Sequence, residues 1–300
     1  MKGFLLKVLL FVLIIITLDF ILGVILDNIQ KECTGGDDGR IKYICEKDTS
    51  DILIFGSSRA HYHYNPEIIT NALNLSCFNC GQNGMGSVFF YGLLQLICDH
   101  HKPRIIIMDI YPPYDLENND NSKYLSFLRP YYCKTGIDSI FWNIDKNERY
   151  KMTSNLYAYN SRLYDLFKEY HKSPSLDYNG YHPLNNKPNH LEKTIEKETY
   201  QYDSIKIAYI EKIAMFCQKN KISLFFTSSP RYGIKTSKAF APLNVISQKY
   251  HIPFLNYYNK DGFANNPSLF ANQDHLNEEG ANIFSFNIAK DIIALKDHCN

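Results

Sequence analysis

Two short runs, Ile52-Leu53-Ile54-Phe55 and Ile105-Ile106-Ile107-Met108, are apolar at every position. A strand with one face in water alternates polar and apolar residues, so a run without alternation belongs to a strand covered on both faces. Helical patterns separate these runs. Asn65-Pro66, with Glu67 in the first turn, opens one that continues through Ile68, Ile69 and Leu73; Val88 to Cys98 gives a second and Ile205 to Phe216 a third. Further strands are expected at Ser76 to Asn79, Arg104 to Ile110, Ser223 to Thr227 and Ile252 to Leu255. Strand and helix in alternation, with strands buried on both faces, predict an α/β fold: a three-layer α/β/α sandwich around a parallel five-stranded sheet.

An apolar run from Phe4 to Leu26 precedes this domain. As a helix it would span ~35 Å, enough to cross a bilayer. Lys7 can snorkel toward the headgroups, whereas Asp19 costs about 2.5–3.5 kcal/mol if held at mid-membrane and lies nearer the far end. Leu22-Gly23-Val24-Ile25-Leu26-Asp27 offers no small-x-small pair for cleavage, so an uncleaved anchor is favoured over a removed signal peptide. Lys2 and Lys7 on one side, against Asp27, Asp37 and Asp38 on the other, predict a cytoplasmic N-terminus and an extracytoplasmic remainder. The expected organisation is therefore an N-terminal transmembrane helix over residues 1–27, a polar stem over 28–50, and one domain over 51–300. Strand–helix alternation lapses between residues 114 and 202, which reads as an insertion, a lid or substrate region that includes a helix from Ser154 to Tyr170.

A net charge of +1 without a basic stripe argues against nucleic acid as a partner. Eight cysteines are too few for a disulfide scaffold; Cys33–Cys45 is the pair to test first, and Cys77-x-x-Cys80 reads as two small buried residues. His61-x-His63 has no third ligand at metal spacing, so it is assigned to packing or to hydrogen bonding, and no metal or cofactor is expected.

Gly56-Ser57-Ser58 closes the first strand, and in an open α/β sheet ligands bind at that carboxyl edge. Ser58 is the candidate nucleophile. A serine hydroxyl needs a base to take its proton and an acceptor behind that base to orient it. His275 supplies the base, in the stretch Asn272-Gln273-Asp274-His275, just ahead of a last helix marked by Ala281, Phe284, Ile288, Ile292 and Leu295. Asp274 and Asn272 are the local acceptors.

An early strand running into Gly-x-Ser, then Asn79-Cys80-Gly81-Gln82-Asn83-Gly84, then a late His followed by Gly280, resembles the SGNH/GDSL hydrolase superfamily. The resemblance covers about Asp51 to the C-terminus and is nearest to a membrane-anchored bacterial branch related to O-acyltransferases and esterases of cell-surface glycans. It implies a flavodoxin-like sheet, Ser58 as nucleophile, His275 as general base, and the N–H groups of Ser58 and Gly84 as oxyanion donors. Three departures stand out. Ser57 replaces the family's aspartate before the nucleophile, Asn272 occupies the place of the aspartate three residues before the histidine, and the Gly-x-Asn-Asp block after the third strand is absent. Asp274 is preferred as the orienting group because it brings charge, with Asn272 the alternative, although adjacent side chains tend to diverge. Arg59, Asp109 and Arg231 are expected to contact substrate, and the aromatics of Tyr178-Asn179-Gly180-Tyr181-His182 to lie near a sugar.

The function implied is an extracytoplasmic serine esterase or O-acyltransferase acting on acyl, particularly acetyl, esters of a surface glycan, beside a membrane acyl-transfer partner. Asn272 and the missing block motivate a second class: a glycan-binding or assembly subunit whose catalytic site has decayed.

Overall fold

The structure is a computed structural model describing residues 1–160, 162–170, 172, 176–188, 190–192, 199–236 and 238–297. Five parallel strands, β1 (Ile52–Phe55), β2 (Cys77–Asn79), β3 (Ile105–Asp109), β4 (Ser223–Ser228) and β5 (Phe254–Asn256), form one sheet in the order β2-β1-β3-β4-β5. The chain leaves β1 toward β2 on one side and returns to β3 on the other. The order reverses between β1 and β3, and in open α/β sheets the carboxyl edge at such a reversal is where ligands bind.

The principal helices are α1 (Lys2–Glu32), α2 (Gly36–Glu46), α3 (Ser58–His63), α4 (Pro66–Leu73), α5 (Ser87–Cys98), α6 (Ser204–Asn220), α7 (Ala241–Tyr250) and α8 (Glu278–Asp297). Against one face of the sheet α8 packs with α3 and α4; on the other, α6 packs with α5 and α7. Successive strand residues serve opposite layers. Ile52, Ile54, Ile105 and Ile107 bury with Phe284, Ile288 and Ile292 of α8, while Phe55 stacks on Phe90 of α5 at 5.4 Å. The three-layer sandwich follows from that alternation. Local caps set the helix limits: Asn65 Oδ1 accepts the Glu67 N–H at 3.0 Å to open α4, and Asp203 Oδ1 accepts the Ile205 N–H at 2.8 Å to open α6.

The chain divides into two compact units, one of residues 44–121 and 176–300 carrying the sandwich, the other of residues 1–43 and 122–175. In the second, α1 is long and apolar enough to cross a membrane. Residues 28–50, expected as a polar stem, are largely helical, because α1 continues to Glu32 and α2 follows. The single helix expected from Ser154 to Tyr170 is two short ones, Asn155–Ala158 and Leu163–Glu169. Both contact α1, a partner that local periodicity does not show. Cys33 and Cys45 are both buried and carry no disulfide, so the bridge expected between them is not formed; Cys77 and Cys80 are also buried and carry none.

Candidate active site

Where β1 ends, Gly56 adopts φ +143°, and a Cβ there would fall 2.8 Å from Asp109 O and 2.9 Å from Ala60 Cβ. Only glycine allows this turn. Ser57 follows as an extended N-cap, and Ser58 is the first residue of α3, in the turn whose backbone N–H groups have no intrahelical acceptor. The loop after β2 is drawn onto α3. Asn79 Nδ2 donates to Ala60 O (2.7 Å) and Tyr64 O (2.9 Å), and Gln82 N donates to Gly56 O at 3.0 Å. Gly81 makes the approach possible, since a Cβ on it would lie 2.4 Å from His61 N. Gly84 turns this loop at φ +73° ahead of α5.

His275 sits in a tight loop closed by a Phe270–Leu276 bridge and by the Ala271 N–H donating to His275 O at 2.9 Å. Its Nε2 lies 2.9 Å from Ser58 Oγ, although 217 positions separate the two residues in sequence. Its Nδ1 lies 3.0 Å from Asn272 Oδ1, which also accepts the backbone N–H groups of Asp274 and His275, each at 3.0 Å. An amide oxygen can only accept, so Nδ1 carries the proton and Nε2 presents its lone pair to the Ser58 hydroxyl. Burial first, then the Arg59 cation, push the imidazole pKa down to about 4, with Asp274 pulling weakly the other way. Near neutral pH it is a free base.

Asp274, the preferred orienting group, points elsewhere. Its Oδ1 accepts from Arg231 Nε at 2.6 Å and lies 3.4 Å from Tyr111 OH. Adjacent side chains diverge in this loop, and Arg231 holds the carboxylate that the imidazole does not. Arg231 Nη1 also donates to Tyr258 OH at 3.2 Å, so the expected substrate contact at this residue is an ion pair at the rim.

Arg59 and Asp109, both expected to contact substrate, are fully buried. Arg59 instead ties loops together. It donates to Asp274 O (3.1 Å), Pro230 O (2.9 Å) and Ser229 O, and its Nε lies 3.9 Å from Asp109 Oδ2. The Tyr111 and Tyr258 rings flank its guanidinium at 4.9 and 5.5 Å. Asp109 accepts from Tyr64 OH (2.6 Å) and from the Ser229 N–H (2.7 Å); burial raises its pKa against the pull of Arg59.

One residue of the arrangement, assigned from sequence to packing or hydrogen bonding, has specific partners here. His63, fully buried, accepts the Leu276 N–H on Nε2 at 3.0 Å, which fixes its own proton on Nδ1. That proton goes to Ser229 Oγ at 2.9 Å, and Ser229 Oγ donates to Asp109 Oδ2 at 3.3 Å. Burial, helped by Arg59 and His275, holds the His63 pKa well below the usual imidazole range. It therefore anchors, as a neutral ring, the peptide adjoining His275. The available signal was its position five residues after Ser58, on the same short helix.

Two more aromatics line this edge. Tyr62 stands edge-on to His275 at 5.2 Å, and its hydroxyl accepts from Asn83 Nδ2 at 2.8 Å. His182 stacks on His61 at 5.9 Å and donates its N–H to His61 O at 3.1 Å. Of the aromatic stretch expected near a sugar, His182 reaches this edge, Tyr181 is buried and Tyr178 is exposed.

The chain is a five-stranded parallel α/β/α sandwich in this strand order, with a serine after the first strand hydrogen-bonded to a histidine before the last helix, the arrangement that the resemblance to SGNH/GDSL hydrolases implies. No protein-family model matches the chain, and no curated protein does. Among solved structures the chain is similar to a putative acylhydrolase from Bacteroides fragilis, at 14% identity over 85% of this chain and 95% of that one, TM-score 0.41. It is similar also to a GDSL-like lipase from Bacteroides thetaiotaomicron, at 11% identity over 80% of this chain and 88% of that one, TM-score 0.36. A third is an acetyl xylan esterase, at 8% identity over 81% of this chain and 98% of that one, TM-score 0.39.

Proposed function

We infer that this protein is a serine ester hydrolase or acyltransferase of the SGNH type, tethered to a membrane by α1 with its sandwich outside the cytoplasm. The observation that carries the reading is the continuous hydrogen-bonded line from Ser58 Oγ through the His275 ring to Asn272 Oδ1. Ser58 attacks the ester carbonyl while His275 Nε2 takes its proton, and the backbone N–H groups of Ser58 and Gly84 hold the developing oxyanion. The alkoxide leaves with the proton returned by His275. The acyl-enzyme then passes its acyl group to water, in a hydrolase, or to a sugar hydroxyl, in a transferase. An acetylated surface glycan is the substrate class that the resemblance favours, with a membrane protein delivering or receiving acyl groups.

A fluorophosphonate probe tests the nucleophile, because it labels only an activated serine. Labelling of the wild type, and none of Ser58→Ala, is the expected result. A folded wild type that takes no label would favour the glycan-binding alternative, whose specific support is the neutral Asn272 behind the histidine. Release of acetate from acetylated polysaccharide, with and without a sugar acceptor, separates hydrolase from transferase.

A further inference from the structure

The C-terminal half of α1 is a docking platform. Its Asp19 carboxylate accepts from Ser154 Oγ (2.6 Å), the backbone N–H groups of Asn155 (2.8 Å) and Leu156 (3.1 Å), and Asn155 Nδ2 (3.1 Å). Those N–H groups open the helix Asn155–Ala158, and a carboxylate at a helix N-terminus is a favourable pairing. Four residues on, Gly23 admits the segment closely, since a Cβ there would fall 2.2 Å from Asn155 Cβ. Next on the same face, Leu26 and Cys33 bury with Tyr159 and Leu166, and Asp27 accepts the Tyr159 hydroxyl. One stripe of α1 is thereby covered.

The other faces of the same stretch are bare and apolar: Phe20, Ile21, Leu22, Val24 and Ile25 are between 41% and 62% exposed. A helix apolar all round belongs in a membrane, and α1 exposes apolar side chains in this way from Phe4 to Ile25, with Lys7, Thr17 and Asp19 the polar exceptions. The segment docked on Asp19 to Leu26 is then at bilayer depth too. Its second helix, Leu163–Glu169, buries Leu166 toward α1 and leaves Leu163, Tyr164 and Phe167 exposed by 38%, 75% and 57%.

We propose that residues 154–160 and 162–170 lie in the interfacial layer of the bilayer at the C-terminal end of α1, with Leu163, Tyr164 and Phe167 in contact with lipid. This inference rests on the reading of α1 as an uncleaved anchor. It accounts for Asp19: a carboxylate at that depth is tolerated because four donors satisfy it, and the irregular backbone supplying them is itself satisfied by Asp19. Tyrosine suits the location, since its ring is apolar and its hydroxyl reaches headgroups.

The test uses the full chain reconstituted in phosphatidylcholine vesicles whose acyl chains are brominated, a contact quencher of tryptophan. In a Trp142→Phe background, which removes the only tryptophan, Phe167→Trp and Tyr164→Trp report the proposed surface and Phe11→Trp reports the anchor. The expected result is a blue-shifted emission and a loss of fluorescence at both surface positions on brominated relative to ordinary vesicles. Full fluorescence at both, with Phe11→Trp quenched, would overturn the proposal; a blue shift without quenching would do so in favour of a protein partner covering this face. An unquenched Phe11→Trp would instead remove the anchor reading, and the proposal with it.

Discussion

Asn272 Oδ1 stands 3.0 Å from His275 Nδ1, so a neutral amide orients the imidazole that faces Ser58. An amide fixes the tautomer but gives no charge to the imidazolium formed during proton transfer. Asn272→Asp supplies that charge at the same position. The expected outcome is faster fluorophosphonate labelling, on the order of tenfold. The acid limb of the pH–rate profile should move upward from about 4, because a nearby anion favours protonated His275. An unmoved limb would count against Asn272 as the orienting group.

Asp274→Asn should behave differently. The carboxylate is paired with Arg231 at 2.6 Å and does not touch the imidazole. Labelling at pH 7 is expected to stay within about threefold of the wild type, and the partly exposed ion pair to contribute about 0–1 kcal/mol to stability. The acid limb should shift slightly down, since Asp274 raises the His275 pKa. A loss of labelling as deep as that of Ser58→Ala would show that Asp274 is needed for the chemistry.

His63 holds the His275 loop through the Leu276 N–H. His63→Ala leaves that N–H buried without its acceptor, at a cost of about 1–3 kcal/mol. A displaced His275 should slow labelling by roughly tenfold or more. His63→Gln, whose amide oxygen can take the same hydrogen bond, should recover part of the rate with the acid limb unmoved. Equal labelling rates for His63→Ala and the wild type would reduce His63 to packing.

Buried neutral imidazoles also predict an acid-sensitive fold. The pKa of His63 in the folded state lies well below its unfolded value near 6.5, so between the two only the unfolded chain takes up the proton. Its contribution to stability is full above pH 6.5 and declines as pH falls, by at most about 1.4 kcal/mol per pH unit. Denaturant midpoints measured from pH 8 to pH 5 should fall for the wild type and fall less for His63→Gln. Equal slopes would mean that His63 protonates without opening the fold.

Gly56→Ala tests the turn beneath the nucleophile. Its Cβ would press on Asp109 O at 2.8 Å, and φ +143° is strained for alanine. A cost of about 1–3 kcal/mol from backbone strain is expected, with a further loss of labelling as Ser58 shifts. Circular dichroism melting and probe labelling read the two separately.

Much of this arrangement is written locally. Unbroken apolar runs at Ile52–Phe55 and Ile105–Met108 demand cover on both faces, and a glycine followed by two serines can only end such a strand in a turn. The periodic residues after Asn277 place His275 in a loop because hydrophobic spacing marks where a helix begins. Helix α7 lacked such a signal: its buried face rests on Leu243 and Ile246. The expected helix over residues 154–170 showed a helical period, yet its contacts with α1 cannot be read from spacing.

The sequence by itself determined the layered α/β sandwich and the apolar N-terminal helix, and singled out Ser58 and His275 as a candidate pair, because each depends on the composition and spacing of neighbouring residues. Tertiary structure decided which acceptor stands behind the imidazole, that Arg59 and Asp109 are internal ties, and that His63 braces the His275 loop. Those outcomes depend on side-chain direction and on partners far away in sequence. Arg231 draws Asp274 off the imidazole, and a backbone N–H 213 positions distant draws His63 inward. Spacing along a chain carries no information about either.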